Sequence, residues 1–169
     1  MSMDERTLHL DHGKLKFSAG HFTIFSATQR ETLHGHNYSL RTTLTATAQA
    51  PGITFDYRIF EEKLIQYCQQ LHFRLLIPLK SPYLTMIEDE QHIEIIFNRE
   101  SMWLLKKDVV LLPIENISLE ALSQWFIDQL SQDPVFLSCH HIKKIRIQVF
   151  NGPHHGAEAV LVTDKIRFS

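Results

Sequence analysis

Hydrophobic and polar residues alternate along two stretches in the first third of the chain, at about 15–23 and 37–48. In the second stretch, Tyr38, Leu40 and Leu44 occupy one set of alternate positions, and mostly polar residues occupy the other. A period of two is typical of a β-strand that buries one face. The two stretches therefore predict a pair of strands in a hairpin.

Two later segments have the spacing of amphipathic helices. Asp56 and Ser118 are residue types that favour the N-cap position, and each precedes a run of apolar residues three or four apart. The apolar residues are Phe60, Leu64, Tyr67, Cys68 and Leu71 after Asp56, and Leu119, Leu122, Trp125, Phe126 and Leu130 after Ser118. The spacing predicts two helices, the second of which ends at Asp133-Pro134.

The remaining patterns predict further strands. β-rich runs at 92–97 and 102–112 flank a polar tip and predict a second hairpin. Strict alternation over 144–149 predicts the clearest strand, and a last strand is expected at about 159–168. The acidic stretch 88–90 is interpreted as a solvated loop. This order of elements predicts an α+β fold with an antiparallel sheet and two helices on one face.

Length and charge narrow the possible functions. The 169 residues suit one domain over 1–169, and the net charge is −2 without a persistent cluster of Lys and Arg. Such a charge argues against nucleic-acid binding. The sequence has no leader pattern at its start and no apolar run close to the roughly 20 residues of a membrane span. We therefore expect a cytoplasmic protein with a small-molecule partner and no membrane association.

Three histidines lie on the first two strand-like stretches in positions that suit one zinc ion. His21 lies on the first stretch, His34 and His36 share one face of the second, and Gly35 points away. Three imidazoles at ~2.0–2.1 Å from Zn²⁺ leave the fourth tetrahedral position open for water or substrate, as in a catalytic site. A His-x-His pair is a weak signal in a chain with 11 histidines, so ordinary strand histidines are the alternative.

The segments around these histidines resemble the signature of a known family. Phe17-Ser-Ala-Gly-His21 and Leu33-His-Gly-His-Asn-Tyr38 are similar to segments of the 6-pyruvoyltetrahydropterin synthase and 6-carboxytetrahydropterin synthase family. The resemblance spans nearly the whole chain, because 52–57 and 115–122 also resemble the segments that lead into the family's two helices. It implies that the three histidines are zinc ligands.

The resemblance also implies an architecture and a substrate. Family members adopt the tunnelling fold (T-fold), in which protomers join their antiparallel sheets into a barrel and active sites form between subunits. A homohexamer built from two trimers is the implied assembly. The implied substrate is 7,8-dihydroneopterin triphosphate, on which zinc acts as a Lewis acid while a nearby base removes a proton.

Two residues just before the histidine pair bear on the identity of that base. In the best-known members the base is a cysteine four residues before His-Gly-His. This chain has Arg30 at that position, and a guanidinium cannot act as a base at neutral pH. One branch has a glutamate one residue later, as this chain has Glu31, and releases 6-hydroxymethyl-7,8-dihydropterin. The resemblance to that branch implies that Glu31 is the catalytic base, with an exposed loop glutamate as the alternative.

Three further candidates lie where the chain departs from the family pattern. Segment 71–78 resembles a family segment that reads Leu-Asp-His-Arg-Leu-Leu-x-Pro. If the two are aligned with a shift of one residue, His72 takes the place of the catalytic histidine. The alternative is that His72 is a cation at the end of a helix. Asn151 replaces the glutamate that anchors the pterin ring, which implies weaker binding or a different ring. Glu158 could bind substrate instead, or lie on the last strand as a surface residue.

Three hypotheses about function remain open. The first is a zinc-dependent lyase that acts on 7,8-dihydroneopterin triphosphate or a related pterin. The second is a family member that binds zinc and a pterin-like ligand without turnover, which the departures at Arg30, Phe73 and Asn151 favour. The third is a 6-carboxytetrahydropterin synthase of queuosine biosynthesis, which the missing cysteine disfavours.

Overall fold

Two β-sheets and three α-helices make up the part of the protein that the structure, a computed structural model, describes, which is residues 4–11, 13–49 and 51–163. The helices are α1 (Tyr57–Leu71), α2 (Leu119–Ser131) and α3 (Pro134–Cys139). The strands are β1 (Glu5–Leu10), β2 (Lys16–His21), β3 (His34–Thr47), β4 (Arg74–Pro78), β5 (Thr85–Glu88), β6 (His92–Phe97), β7 (Glu100–Leu105), β8 (Val109–Leu112), β9 (Ile142–Phe150) and β10 (Gly156–Val162).

The larger sheet has seven strands within these ranges. Strands β10, β9, β3, β2, β4 and β8 follow one another across it, and β1 pairs with the second half of β3. The pairs β2–β4 and β4–β8 are parallel, whereas the other pairs of this sheet are antiparallel. The smaller sheet is the antiparallel meander β5–β6–β7. The predicted α+β class is confirmed, and the two parallel pairings are a feature that the sequence pattern did not indicate.

The predicted first hairpin is the antiparallel pair β2–β3. In its register His21 lies opposite His34, and Ala19 lies opposite His36. Further along the same face, the buried rings of Phe17 and Tyr38 stack with their centroids 4.8 Å apart. Because side chains alternate along each strand, the three histidines share the face that continues into the core.

Helices α1 and α2 cover that face, and both begin at the predicted caps. The Asp56 carboxylate accepts a hydrogen bond from the Arg58 N–H at 3.1 Å, and the Ser118 hydroxyl accepts one from the Ala121 N–H at 3.2 Å. Their buried side chains join one core with the inward residues of the sheet. These side chains are Phe60, Leu64, Cys68 and Leu71 from α1, and Leu122, Ser123, Trp125, Phe126, Ile127 and Leu130 from α2. None of the described helices is long and apolar enough to span a lipid bilayer.

A second, smaller core attaches the meander β5–β7 to the larger sheet. Its buried residues come from the segment after β2, from β4, and from β6. They are Phe22, Ile24, Ile77, Ile93, Ile95 and Phe97. This core fixes the position of the segment that runs from β2 to β3, which carries Glu31.

The prediction of one strand over 102–112 is wrong. Strand β7 ends at Leu105, a 3-10 turn spans Lys106–Asp108, and β8 then leaves the meander to pair with β4 in the larger sheet. The Lys106 N–H donates to the Gln91 carbonyl at 2.9 Å, which closes the base of the β6–β7 hairpin. Apolar alternation runs through both halves, so the local pattern could not show that their partners differ.

Other elements were not predicted. The strands β1, β4 and β5 and the short helix α3 have no counterpart among the predictions. Pro134 ends α2 as predicted, but it also takes the first position of α3, where proline is well tolerated, behind the N-cap Asp133. The acidic stretch 88–90 is exposed and includes the end of β5. The last strand, expected over about 159–168, is β10 up to Val162, and 164–168 lie outside the described residues.

Asp133 links α3 to α1 and should give a pH-dependent contribution to stability. Its carboxylate accepts a hydrogen bond from the Phe136 N–H at 3.0 Å and lies 2.8 Å from the Lys63 ammonium. These two hydrogen bonds, that of Lys63 first, lower the pKa of Asp133. The contribution of a carboxylate with a lowered pKa is complete above its ordinary pKa of about 4 and disappears as the pH falls through the folded-state value.

We expect Asp133→Ala to lower the free energy of unfolding by about 1 kcal/mol near neutral pH, because both the cap and the ion pair are lost. Asp133→Asn keeps a capping oxygen and should cost less. The difference between the wild type and Asp133→Asn should shrink as the pH falls through the folded-state pKa of Asp133, which lies below its ordinary value of about 4, since the wild-type carboxyl is then protonated. Thermal unfolding across this pH range measures the difference, and a difference that grew on acidification would contradict the assignment.

Candidate active site

The three histidines form a compact triad at the end of the β2–β3 hairpin. The ligand atoms that His21, His34 and His36 can offer all lie within 4.8 Å of one another. The side chain of His21 is buried, whereas that of His34 is 37% exposed and can be reached from solvent. Zn–N bonds of ~2.0–2.1 Å in a tetrahedron place nitrogens about 3.3 Å apart, so small side-chain adjustments suffice to surround one ion.

Hydrogen bonds orient two of the rings so that their lone pairs converge. The Nδ1 atom of His34 lies 2.8 Å from the Thr32 carbonyl oxygen, and that of His21 lies 3.3 Å from the Ile117 carbonyl oxygen. A carbonyl oxygen only accepts, so each Nδ1 carries the hydrogen and each Nε2 is left with a lone pair. Bonds of this kind, from the far ring nitrogen to a carbonyl, are typical of histidines that bind metals.

Two of the three converging Nε2 atoms contact each other, and the third has no partner in the described part of the protein. The Nε2 atom of His34 lies 3.0 Å from that of His36, and the Nε2 atom of His21 is buried with no hydrogen-bond partner among the described residues. A lone pair buried without a partner is unfavourable. A cation between the three rings would give the buried His21 Nε2 atom a partner and could also bind the Nε2 atoms of His34 and His36, so the residues fit a divalent metal ion.

The protonation states also suit metal binding. Burial, followed by the positive charges that His34 and His36 can carry, lowers the pKa of His21 to about 4. Burial and the neighbouring His34 likewise lower the pKa of His36. The neutral imidazole is the form that binds metals, so these two rings need not lose a proton near neutral pH.

Glu31 lies beside the triad, although the polypeptide reaches it through a loop. One carboxylate oxygen accepts a hydrogen bond from the Thr23 N–H at 2.9 Å and lies 4.0 Å from the Nε2 atom of His34. Burial raises the pKa of Glu31, but hydrogen bonds from Thr23 and the nearby His34 and His21 outweigh it, so the pKa lies below the ordinary value. Glu31 is therefore an ionised group held next to the metal site.

Arg30, in the adjacent position, is directed elsewhere. Its guanidinium lies over the rings of Phe22 and Phe97, 4.9 Å and 5.6 Å from their centroids, on the side of the smaller sheet. Cys68 does not supply the missing thiolate, because it is buried in α1 and burial raises its pKa to about 12. Among these groups, Glu31 alone combines an ionised side chain with proximity to the triad.

The comparisons with known proteins place this chain in a family. The model of the 6-pyruvoyl tetrahydropterin synthase family matches residues 12–160. The chain belongs to the 6-pyruvoyl tetrahydropterin synthase family. Membership makes it an enzyme with a pterin synthase or lyase role, and the predicted T-fold is confirmed by the solved structures to which the chain is similar.

One similar solved structure is a Plasmodium vivax 6-pyruvoyltetrahydropterin synthase in which a glutamate described as a catalytic residue is changed to cysteine. Its sequence is 26% identical to this chain, and the TM-score is 0.88. The match covers 94% of this chain and 99% of that chain. Two archaeal relatives are each named "Putative 6-carboxy-5,6,7,8-tetrahydropterin synthase". The Pyrococcus horikoshii protein is 22% identical, over 88% of both chains. The Methanocaldococcus jannaschii protein is 23% identical, over 86% of this chain and 90% of its own.

His72 lies at the edge of β2 that faces β4. Its Nδ1 atom accepts a hydrogen bond from the Ser18 N–H at 3.0 Å, and its ring stacks on that of Phe73 at 3.9 Å. Because a backbone N–H only donates, the Nδ1 atom of His72 is the acceptor in this bond. The catalytic role of His72 stays a prediction.

The hydrogen bond to Ser18 gives a testable expectation for His72. His72→Ala leaves the Ser18 N–H without its acceptor and should cost about 1 kcal/mol of stability. In His72→Asn, the amide oxygen can take the place of Nδ1, so stability should be largely retained. Denaturant unfolding of the two variants checks this order, and equal losses would contradict it. Turnover by His72→Asn then tests catalysis separately, since a fall of about 100-fold or more would indicate a role for the ring.

Asn151 follows β9, the neighbour of β3, and Glu158 lies on β10, the next strand of the larger sheet. Asn151 is in the turn after β9, where its N–H donates to the His155 carbonyl at 3.2 Å. The Glu158 carboxylate, exposed on β10, accepts from Gln148 at 3.2 Å and lies 3.5 Å from Arg146. Among the described residues, no hydrogen bond or ion pair joins either of them to the triad. Their roles in substrate binding stay predictions, and the family resemblance expects such sites to be completed between subunits.

Two cavities adjoin the site. The larger, about 590 Å³, is lined by His34 and His36 of the triad and by Gly20 and Gly35, which lie opposite each other on β2 and β3. The smaller, about 330 Å³, lies between 28–32 and the β6–β7 tip, and Glu31 lines it. The smaller cavity is therefore the one into which the candidate base opens.

The sequence analysis did not identify Asn116, which supports the site from the loop before α2. Its side-chain oxygen accepts the Ile24 N–H at 3.0 Å, and its side-chain nitrogen donates to the Ile24 carbonyl at 2.8 Å. The same oxygen accepts the Ile117 N–H at 3.0 Å, which places the Ile117 carbonyl beside His21. Its segment 115–122 was noted for family resemblance, but nothing in the local pattern indicated this contact.

Proposed function

We propose that the chain is a zinc-dependent lyase that acts on 7,8-dihydroneopterin triphosphate or a closely related pterin, by side-chain cleavage or triphosphate elimination. The observation that carries the proposal is the geometry around the triad. The ligand atoms of the three imidazoles lie within 4.8 Å of one another, and the buried Nε2 atom of His21 has no hydrogen-bond partner among the described residues. The ionised carboxylate of Glu31 lies 4.0 Å from the Nε2 atom of His34. Three neutral nitrogen ligands with space for a fourth suit catalytic zinc.

Each residue has a distinct role in this proposal. His21, His34 and His36 hold the ion, which when bound would act as a Lewis acid toward the side-chain oxygens of the pterin. Glu31 accepts a proton from the substrate side chain, and the Thr23 N–H holds its carboxylate in place. The description of a glutamate as a catalytic residue in the Plasmodium vivax protein supports this role for Glu31.

A 6-carboxytetrahydropterin synthase is the second candidate, and the names of the archaeal relatives favour it. A family member that binds zinc and a pterin-like ligand without turnover is the third. The product separates these candidates, since hydroxymethyl, pyruvoyl and carboxy side chains differ in mass. The test incubates the zinc-loaded protein with 7,8-dihydroneopterin triphosphate and identifies the product by mass spectrometry. Zinc-loaded protein that binds the pterin but yields no product would reject turnover and leave the binding role.

The proposal extends to the assembly. We infer a cytoplasmic, single-domain homohexamer, a dimer of trimers, in which neighbouring subunits complete each site. Support comes from the family match and from the similarity to solved 6-pyruvoyltetrahydropterin synthase structures. Light scattering of the purified protein measures the subunit number, and a fully active monomer would overturn the shared site.

A further inference from the structure

The segment between β2 and β3 is a tight loop that presents Glu31. Ile24 pairs with Arg30 across it, and the Phe25 and Ser26 N–H groups both donate to the Gln29 carbonyl, at 2.8 Å and 3.1 Å. At the base of the loop, the Glu31 N–H donates to the Thr23 carbonyl at 2.9 Å, and the Thr23 N–H donates to the Glu31 carboxylate at 2.9 Å. The direction of the carboxylate therefore depends on how firmly this base is held.

Arg30 connects that base to the smaller sheet. One guanidinium nitrogen donates to the Glu31 carbonyl at 2.8 Å, and another lies 3.7 Å from the Glu100 carboxylate at the β6–β7 tip. Between these contacts, the planar group lies over the rings of Phe22 and Phe97. One side chain thus contacts the backbone of the candidate base, the segment after β2, and the hairpin of the second sheet.

The burial of Arg30 makes these contacts informative. Its side chain is only 18% exposed, and its Nε atom has no hydrogen-bond partner among the described residues. An arginine is always charged, and burying a charge with an unsatisfied donor is unfavourable. Stacking on two rings and the bond to Glu31 offset part of that penalty. A lysine has no planar group for stacking and hydrogen bonding at the same time, so the geometry calls for a guanidinium.

We propose that Arg30 is a positioning residue that holds the backbone of Glu31 against the β6–β7 hairpin and thereby aims its carboxylate at the metal site. This inference rests on the proposed role of Glu31 as the base. It assigns a function to the position where better-known family members have the cysteine. It also gives the smaller sheet a part in catalysis, as the rigid support of the base.

The test compares Arg30→Lys with a matched control, Arg41→Lys. Arg41 also lies over an aromatic ring, 5.0 Å from the centroid of Phe150, and pairs with a carboxylate, that of Asp11, at 3.0 Å. It does so on the middle of β3, away from Glu31. Both substitutions therefore remove a guanidinium that lies over a ring and near a carboxylate, although Arg41 is more exposed, and only the first lies next to the candidate base.

We expect Arg30→Lys to lower kcat by about 10- to 100-fold, because small displacements of a reacting group have effects of this size. KM and zinc stoichiometry should stay unchanged, and Arg41→Lys should leave all three unchanged. Glu100→Gln should have a smaller effect, since that carboxylate is 74% exposed and 3.7 Å away. A rise in KM at constant kcat would instead indicate a substrate contact, and wild-type kcat would indicate a role in stability alone; either result overturns the proposal.

A measurement that needs no turnover separates this inference from the proposed function. Hydrogen exchange of the peptide containing 22–32, followed by mass spectrometry, should be about 10-fold faster in Arg30→Lys and unchanged in Arg41→Lys. Unchanged exchange in Arg30→Lys overturns the positioning role whatever the activity. Faster exchange in a protein whose wild type yields no pterin product supports the positioning of Glu31 and rejects only the proposed reaction.

Discussion

His21→Ala should weaken zinc binding by more than about 100-fold, since even the outer partners of ligands contribute 10- to 100-fold to metal affinity. The substitution removes the buried ligand of the triad. Only His34 and His36 remain, which is one fewer than the three protein ligands of a catalytic zinc site. A variant that binds zinc only weakly is not stabilised by the zinc added to it. Saturation at about 100 times the dissociation constant should stabilise the wild type by about 2.7 kcal/mol and the variant hardly at all.

Thermal unfolding with zinc and with a chelator measures that difference, and elemental analysis gives the stoichiometry. His9→Ala is the matched control, because His9 is an exposed strand histidine whose ring contacts the Thr43 hydroxyl at 3.4 Å. It should bind zinc as the wild type does. Full stoichiometry and unchanged affinity in His21→Ala would show that the converging rings are ordinary strand histidines and would remove the basis of the proposed function.

Glu31→Gln should lower kcat by about 10²- to 10⁴-fold, the usual contribution of a general base. The amide can still accept the Thr23 N–H through its oxygen, but it cannot take a proton from the substrate. The loop should therefore keep its conformation, and zinc binding should persist because Glu31 is not a ligand of the triad. This separates loss of chemistry from loss of the site.

Steady-state kinetics with 7,8-dihydroneopterin triphosphate, together with zinc content, check this expectation. Glu62→Gln is the control, because it causes the same change of charge at an exposed position of α1, away from the site. A Glu31→Gln variant with wild-type kcat would assign the base to another group, and His72 would be the next residue to test.

Much of the candidate site was accessible from the sequence because it depends on local periodicity. His34 and His36, two apart on a strand, necessarily share a face, whatever the rest of the chain does. The N-caps Asp56 and Ser118 were predicted correctly for the same reason, since a cap requires only the few residues that follow it. The metal triad further required that β2 be the neighbour of β3, which the family resemblance supported and the register confirms.

Contacts between distant segments were not accessible in this way. The run 102–112 alternates throughout, yet its two halves join different sheets, because a strand pattern shows which side chains are buried but not against which partner. Asn116 and Ile117 contact the segment after β2 from more than ninety positions away, and no local signal reports such a pair.

The sequence by itself determined the chemical groups available: three strand imidazoles with the right spacing, a glutamate just before them, and no cysteine where better-known relatives have one. Tertiary structure alone decided which of two neighbouring side chains faces the metal site. Glu31 turns toward His34, while Arg30 lies against the rings of the second core. The physical reason is that a loop has no repeat to fix its side-chain directions, so packing and long-range hydrogen bonds set them.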